Sequence, residues 1–85
     1  DYVYLGISGE PLEDGSFVIE QKNKFCVGDK IEIMKADGRD IEANVISITD
    51  QDGVAMESCP HPKQIITIKL DQVPETGDIL RMKAE

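Results

Sequence analysis

Apolar residues recur along this chain with a period of two, in short runs separated by turn chemistry. Val3, Leu5 and Ile7 alternate with Tyr2, Tyr4 and Gly6, the spacing of a strand that buries one face. Glu13-Asp14-Gly15-Ser16 then turns the chain, because Asp-Gly readily supplies positive φ, and Phe17-Val18-Ile19-Glu20 makes a second strand. The third runs through Lys30-Ile31-Glu32-Ile33-Met34-Lys35, with Ile31 and Ile33 on one face and mostly charge on the other. Ala36-Asp37-Gly38-Arg39 is a hairpin signal. Beyond it, Ile41, Ala43 and Val45 share one parity, and Ile46 and Ile48 the other. That switch predicts a bulge or sharp bend, the device with which small barrels turn corners.

Asp50-Gln51-Asp52-Gly53 turns the chain again, and a short segment over 54–57 precedes the stiff Cys59-Pro60-His61-Pro62. Ile66, Ile68 and Leu70 alternate against Thr67 and Lys69 in a sixth strand. Pro74-Glu75-Thr76-Gly77-Asp78 then turns into a last strand, Ile79-Leu80-Arg81-Met82. No segment shows a helical stripe of ten or more residues. The pattern predicts an all-β fold of six to seven short antiparallel strands forming one domain over residues 1–85, a small antiparallel β-barrel or a sandwich, of which the barrel is the expectation. Closure would hide the edge strands that an open sheet exposes.

At 85 residues the chain has room for one core, with stability on the order of 4–13 kcal/mol. An apolar fraction of 40% fits a folded domain. No run approaches the ~18 apolar residues of a membrane span, so no membrane partner is expected, and the low cysteine count points to a reduced, cytoplasmic context. The chain starts at Asp1 rather than Met, so it is expected to begin inside a longer chain or to follow a removed tag or processed segment.

The net charge is −8, and its distribution matters more than its sum. Residues 1–20 and 40–60 each hold five acids and no bases, whereas Lys22, Lys24, Lys30, Lys35 and Arg39 outnumber Asp29, Glu32 and Asp37 between them. Overall acidity disfavours general nucleic-acid binding and leaves a local basic patch around Lys22 and Lys24. Two cysteines and one histidine are too few for a disulfide scaffold or a closed zinc site, and a Cys26–Cys59 pairing stays open. Asp50, Asp52 and Gly53 lack the Glu and flanking helices of a calcium loop. No metal and no cofactor is expected in this domain.

A more specific signal lies in the order of several short runs. Glu20-Gln21-Lys22-Asn23-Lys24-Phe25 is followed by Val27-Gly28-Asp29, by Gly38 after the next strand, and by Asp50-Gln51-Asp52-Gly53. Pro60-His61-Pro62 with Gln64 comes next, and Gly77-Asp78-Ile79-Leu80-Arg81 closes the set. In order and spacing, over roughly residues 16–82, this resembles the C-terminal domain of the collagenase-like peptidases (peptidase family U-thirty-two). Lys22 departs from the family, which more often has Arg there; an ammonium cannot reproduce a bidentate guanidinium contact.

The resemblance implies a domain similar to the second domain of translation elongation factors, placed after a catalytic domain in the same chain. It implies a non-catalytic accessory role, positioning a protein or peptide substrate or docking on the catalytic domain. Some family members hydroxylate tRNA or rRNA, so RNA recognition is an alternative, as is a structural spacer or an oligomerisation surface.

Lys22, Asn23, Lys24 and His61 are the candidate substrate- or partner-binding residues. Loops on rigid barrels often carry function, although the plainer reading of Lys22 to Lys24 is a solvated turn with Phe25 in the core. His61 and Cys59 could form a nucleophile–base pair, but no orienting third group is evident, and a rigid turn is the simpler expectation. No catalytic residue is assigned.

Overall fold

The computed structural model describes residues 1–58 and 63–84, which form seven strands. In chain order these are β1 (Tyr2–Ile7), β2 (Phe17–Glu20), β3 (Lys30–Met34), β4 (Asp40–Thr49), β5 (Ala55–Met56), β6 (Ile65–Leu70) and β7 (Ile79–Lys83), with no helix among the described residues. All pairings are antiparallel, in the order β1-β7-β3-β4-β6-β2, and the two-residue β5 lies against the end of β4.

The ladder does not close. The expected barrel is corrected to an open, strongly curved sheet whose two ends, β1 and β2, meet without a continuous register. Two isolated backbone hydrogen bonds span that seam: Gly9 N–H donates to Val18 O (3.0 Å) and Lys22 N–H donates to Leu5 O (3.0 Å). Glycine makes this approach possible, since a Cβ on Gly9 would lie 2.7 Å from Val18 O and one on Gly6 2.9 Å from Glu20 O.

The parity switch predicted in β4 is a register shift between Val45 and Ser47, with Ile46 half exposed and Ile48 back in the core. A second shift, in β1 between Tyr4 and Gly6, gave no such sign in the alternation. There Gly6 takes φ 149°, Leu5 turns inward, and Ile7 comes out to 52% exposure. Ile7 was expected beside Val3 and Leu5 on the buried face; the bulge reverses its parity. Leu5, Phe17, Ile19, Ile31, Ile33, Ile48, Ile66, Ile68 and Leu80, together with Phe25, Ala43, Val45 and Leu70, form one core among the described residues, with Met56 and Met82 packed against it. Each fully buried side chain of this size contributes about 1.5–3 kcal/mol.

The aspartates that follow glycine, Asp29 and Asp78, act as turn caps. Asp29 Oδ2 accepts the Cys26 N–H at 2.8 Å and Asp78 Oδ2 accepts the Glu75 N–H at 2.8 Å. Asp50 Oδ1 holds its own turn through the Asp52 and Val54 amides. Asp78 does more than cap. With its side chain 7% exposed, it pairs at 2.5 Å with Lys35, whose side chain is 8% exposed and also reaches Glu75 at 2.8 Å. This pair joins the turn before β7 to the end of β3.

Candidate functional site

The loop after β2 is built as three displayed residues between two buried anchors. Gln21 is fully buried and Phe25 is 1% exposed, while Lys22, Asn23 and Lys24 between them face solvent. Gln21 fixes one end through its backbone, with its N–H donating to Gln64 O and its carbonyl accepting Lys63 N–H, both at 2.8 Å. Its Nε2 also donates to Asn23 O at 3.3 Å. Asn23 reaches across the seam, where Nδ2 donates to Tyr4 O at 2.7 Å. The loop is therefore held against β1 and presented beside Tyr4.

Lys22 pairs with Glu20, and that hydrogen bond raises the lysine above and lowers the carboxyl below their ordinary ranges. Both groups are solvent-exposed, so salt screens the pair and an incoming anion competes with Glu20 for the ammonium. Lys24 has no ion pair among the described residues. Lys63, beside Gln21 in the backbone pairing, is exposed as well.

Tyr2 and Tyr4 stand on the outer face of β1, 49% and 41% exposed. Tyr4 lies directly opposite Arg81 of β7, and the Arg81 guanidinium sits over the Tyr2 ring, 3.7 Å from its centroid. Arg81 is itself braced, through Nε to Glu32 Oε1 at 2.9 Å and through a terminal nitrogen to Asp40 Oδ2 at 3.2 Å. Burial works against its charge, but these two carboxylates outweigh burial and hold it firmly protonated. Even the start of β1 is tied down, by Tyr2 pairing with Lys83 and by Ala84 N–H donating to Asp1 O at 2.9 Å.

Two clefts lie elsewhere. One of about 250 Å³ is lined by Lys35, Asp37, Arg39, Glu75, Thr76 and Asp78, whose charges already compensate one another. The other, about 390 Å³, is lined by Cys26, Val27, Glu57 and Ser58, with Cys26 a free thiol. Among the described residues no cluster of three or more His, Cys, Asp or Glu is placed to hold a metal. Among the described residues no helix is long and apolar enough to cross a membrane either.

The sequence matches the peptidase family U32 C-terminal domain over residues 1–81. The chain belongs to this family. Two crystal structures share its fold, the C-terminal domain of a Geobacillus thermoleovorans protein assigned to the U32 peptidases and the selenomethionine variant of that domain. They superpose with TM-scores of 0.81 and 0.79 at 22% identity, covering 95% and 93% of this chain and 92% and 98% of theirs. The tRNA hydroxylation protein P1 of Bacillus subtilis (strain 168) is 28% identical over 81 residues, which is 94% of this chain and 19% of that protein. The chain thus spans about a fifth of the length of this curated relative.

In this U32 C-terminal domain Lys22, Asn23 and Lys24 come together on one loop, and the buried Phe25 fits the expectation for it. His61, with Cys59, lies outside the described residues. Tyr2, Tyr4 and Arg81 were missed as members of the same surface. Two tyrosines spaced by two on the solvent parity of β1 were a usable sign. The contact of Arg81 with Tyr2 was not, because it depends on β7 lying beside β1. The closing run Gly77-Asp78-Ile79-Leu80-Arg81 has a physical account here: Asp78 makes the buried pair, Leu80 enters the core, and Arg81 backs Tyr2.

Proposed function

We propose that this domain is a non-catalytic accessory module of a larger RNA-modifying enzyme, and that it positions the RNA substrate. The observation that carries the reading is the Lys22-Asn23-Lys24 loop, pinned by Asn23 to Tyr4 beside two exposed tyrosines. Cations beside exposed aromatic rings suit a chain of phosphates and bases. The name of the Bacillus subtilis relative, a tRNA hydroxylation protein, points to the same substrate class. Docking through the outside of a small β fold would parallel the use of the second domain of translation elongation factors. A cytoplasmic location follows from such a substrate.

The net charge of −8 limits this interaction to a local one. At physiological salt, charges are screened beyond about 8 Å, so the acidic turns far from the loop weigh little against Lys22 and Lys24. Replacing both lysines by glutamate (K22E/K24E) is expected to weaken tRNA binding about 10–30-fold at 0.1 M salt and to flatten its salt dependence. Fluorescence anisotropy across a salt series measures both. Equal affinity and slope in the variant would overturn the reading.

A second reading, docking on the remainder of a longer chain, has one observation of its own. Met34, Ile79 and Ile7 are register partners in a row across the outer face, with Ile79 39% and Ile7 52% exposed. Four-fifths of the length of the curated relative lies outside the matched region and could supply the covering surface. Ile79→Lys in the full-length enzyme should then make the domain separately cleavable by limited proteolysis. An unchanged digestion pattern would remove this reading.

A further inference from the structure

We infer that the outer face of β1 is a stacking platform for unpaired bases, which makes single-stranded RNA the ligand of this surface; the inference rests on the RNA-recognition reading above. Tyr2 is half of a stack already formed. The Arg81 guanidinium covers one face of its ring at 3.7 Å, and Glu32 and Asp40 hold that guanidinium in place. Tyr2 as a residue nevertheless remains 49% exposed, so a base can continue the stack on a side chain whose motion is already restricted. Tyr4 shares the same face of β1 and is anchored through its carbonyl to Asn23. It joins the platform to the cationic loop, and a strand with bases on Tyr2 and Tyr4 can run its phosphates past Lys22 and Lys24.

Charge on the other flank selects against duplex. Moving from β1 through β7 to β3 and β4, the outer face carries Glu32, then Asp40 and Glu42. Arg81 is spent on Glu32 and Asp40, and Glu42 pairs only loosely with an exposed Lys30 at 3.7 Å. A duplex on this face would lay its second phosphate backbone over those carboxylates, and its bases would be unavailable for stacking. A single strand avoids both penalties.

The chain has two tyrosines and no tryptophan, so tyrosine ring signals report this site alone. The probe is a short oligouridine, compared with the same strand annealed to oligoadenosine and with tRNA. Related C-terminal domains crystallise as isolated domains of this size, so the 85-residue chain is a fair object for the test. The expected result is an upfield shift of the Tyr2 and Tyr4 ring protons on adding oligouridine and a much weaker response to the duplex. Y2L and Y4L should each weaken oligouridine binding about 5–100-fold, while Y2F and Y4F stay within about threefold. If tRNA binds but the ring signals stay still and the leucine variants bind as wild type does, the stacking platform is overturned and RNA recognition by the loop survives. If neither oligouridine nor tRNA binds, RNA recognition fails with it. The ring shifts are read on the wild-type chain, so a leucine variant that misfolds does not remove the test.

Discussion

Replacing Asp78 by alanine is expected to lower the thermal midpoint by about 10–20 °C, a large fraction of the stability of a domain this size. The carboxylate has two tasks: it accepts the Glu75 N–H in the turn before β7 and pairs with Lys35. Removing it leaves an ammonium with its side chain 8% exposed facing Glu75, whose own side chain is 81% exposed, and the more distant Asp37. The cost comes from stranding a buried charge rather than from losing attraction. A double replacement, K35M/D78L, should therefore recover much of the midpoint while still lacking the amide cap. Thermal melts of the wild type, D78A and the double variant measure this. A D78A midpoint within about 3 °C of wild type would show that water compensates the pair.

The same pair sets a pH window. Burial works against the charged form of Asp78, but Lys35 and the Glu75 amide outweigh it, so the carboxyl titrates below its ordinary range. A folded-state value below the unfolded one gives stability that is present above about pH 4 and is lost as pH falls through the folded value. Lys35 is raised by its hydrogen bonds to Asp78 and Glu75. Its contribution is present below about pH 10 and is lost only as pH rises through the folded value. Stability from this pair should be level between these limits, and D78A should show a shallower acid limb than the wild type.

The second large effect is expected at the seam. Gly9→Val should cost about 1–3 kcal/mol, with Gly9→Ala nearer the lower end. The glycine is not needed there for positive φ. It is needed because a Cβ would stand 2.7 Å from the Val18 carbonyl oxygen, a backbone atom that cannot rotate away. The Gly9–Val18 hydrogen bond is one of two backbone hydrogen bonds across the seam, and the other, from Lys22 N–H to Leu5 O, holds the base of the cationic loop. Hydrogen exchange should show lost protection at Gly9 and Lys22 while the β3–β4 amides keep theirs. The loop would then lose its register with Tyr4, and RNA affinity should fall although no charge has changed. Uniform loss of protection across all strands would show instead that the seam is not a separable unit.

How far the sequence alone reaches can be argued from these elements. Strand positions were legible because alternation is local: Ile31 with Ile33, and Ile66 with Ile68 and Leu70, state which face is buried without reference to any partner. The bend in β4 was legible for the same reason, since a parity switch within one strand needs an extra residue. The bend in β1 left no such mark. Gly6 is neutral in an alternation pattern, so Ile7 was assigned to the core and lies outside it.

The cationic loop could be read from its residue types and from a buried Phe25 at its end. Its function depends on more, because Asn23 finds Tyr4 across 19 residues of chain and Arg81 finds Tyr2 from the far end of the sequence. Whether the sheet closes was equally beyond the sequence. Closure turns on how nearly β1 and β2 align after every intervening strand has added its twist, and only the accumulated geometry settles that at two backbone hydrogen bonds. The sequence by itself determined the all-β class, the turns, most of the buried face and the family. The tertiary structure decided the open seam, the buried Lys35–Asp78 pair and the joining of loop, tyrosines and arginine into one surface. The physical reason is that alternation and turn chemistry act between chain neighbours, whereas those three features exist only once distant strands lie side by side.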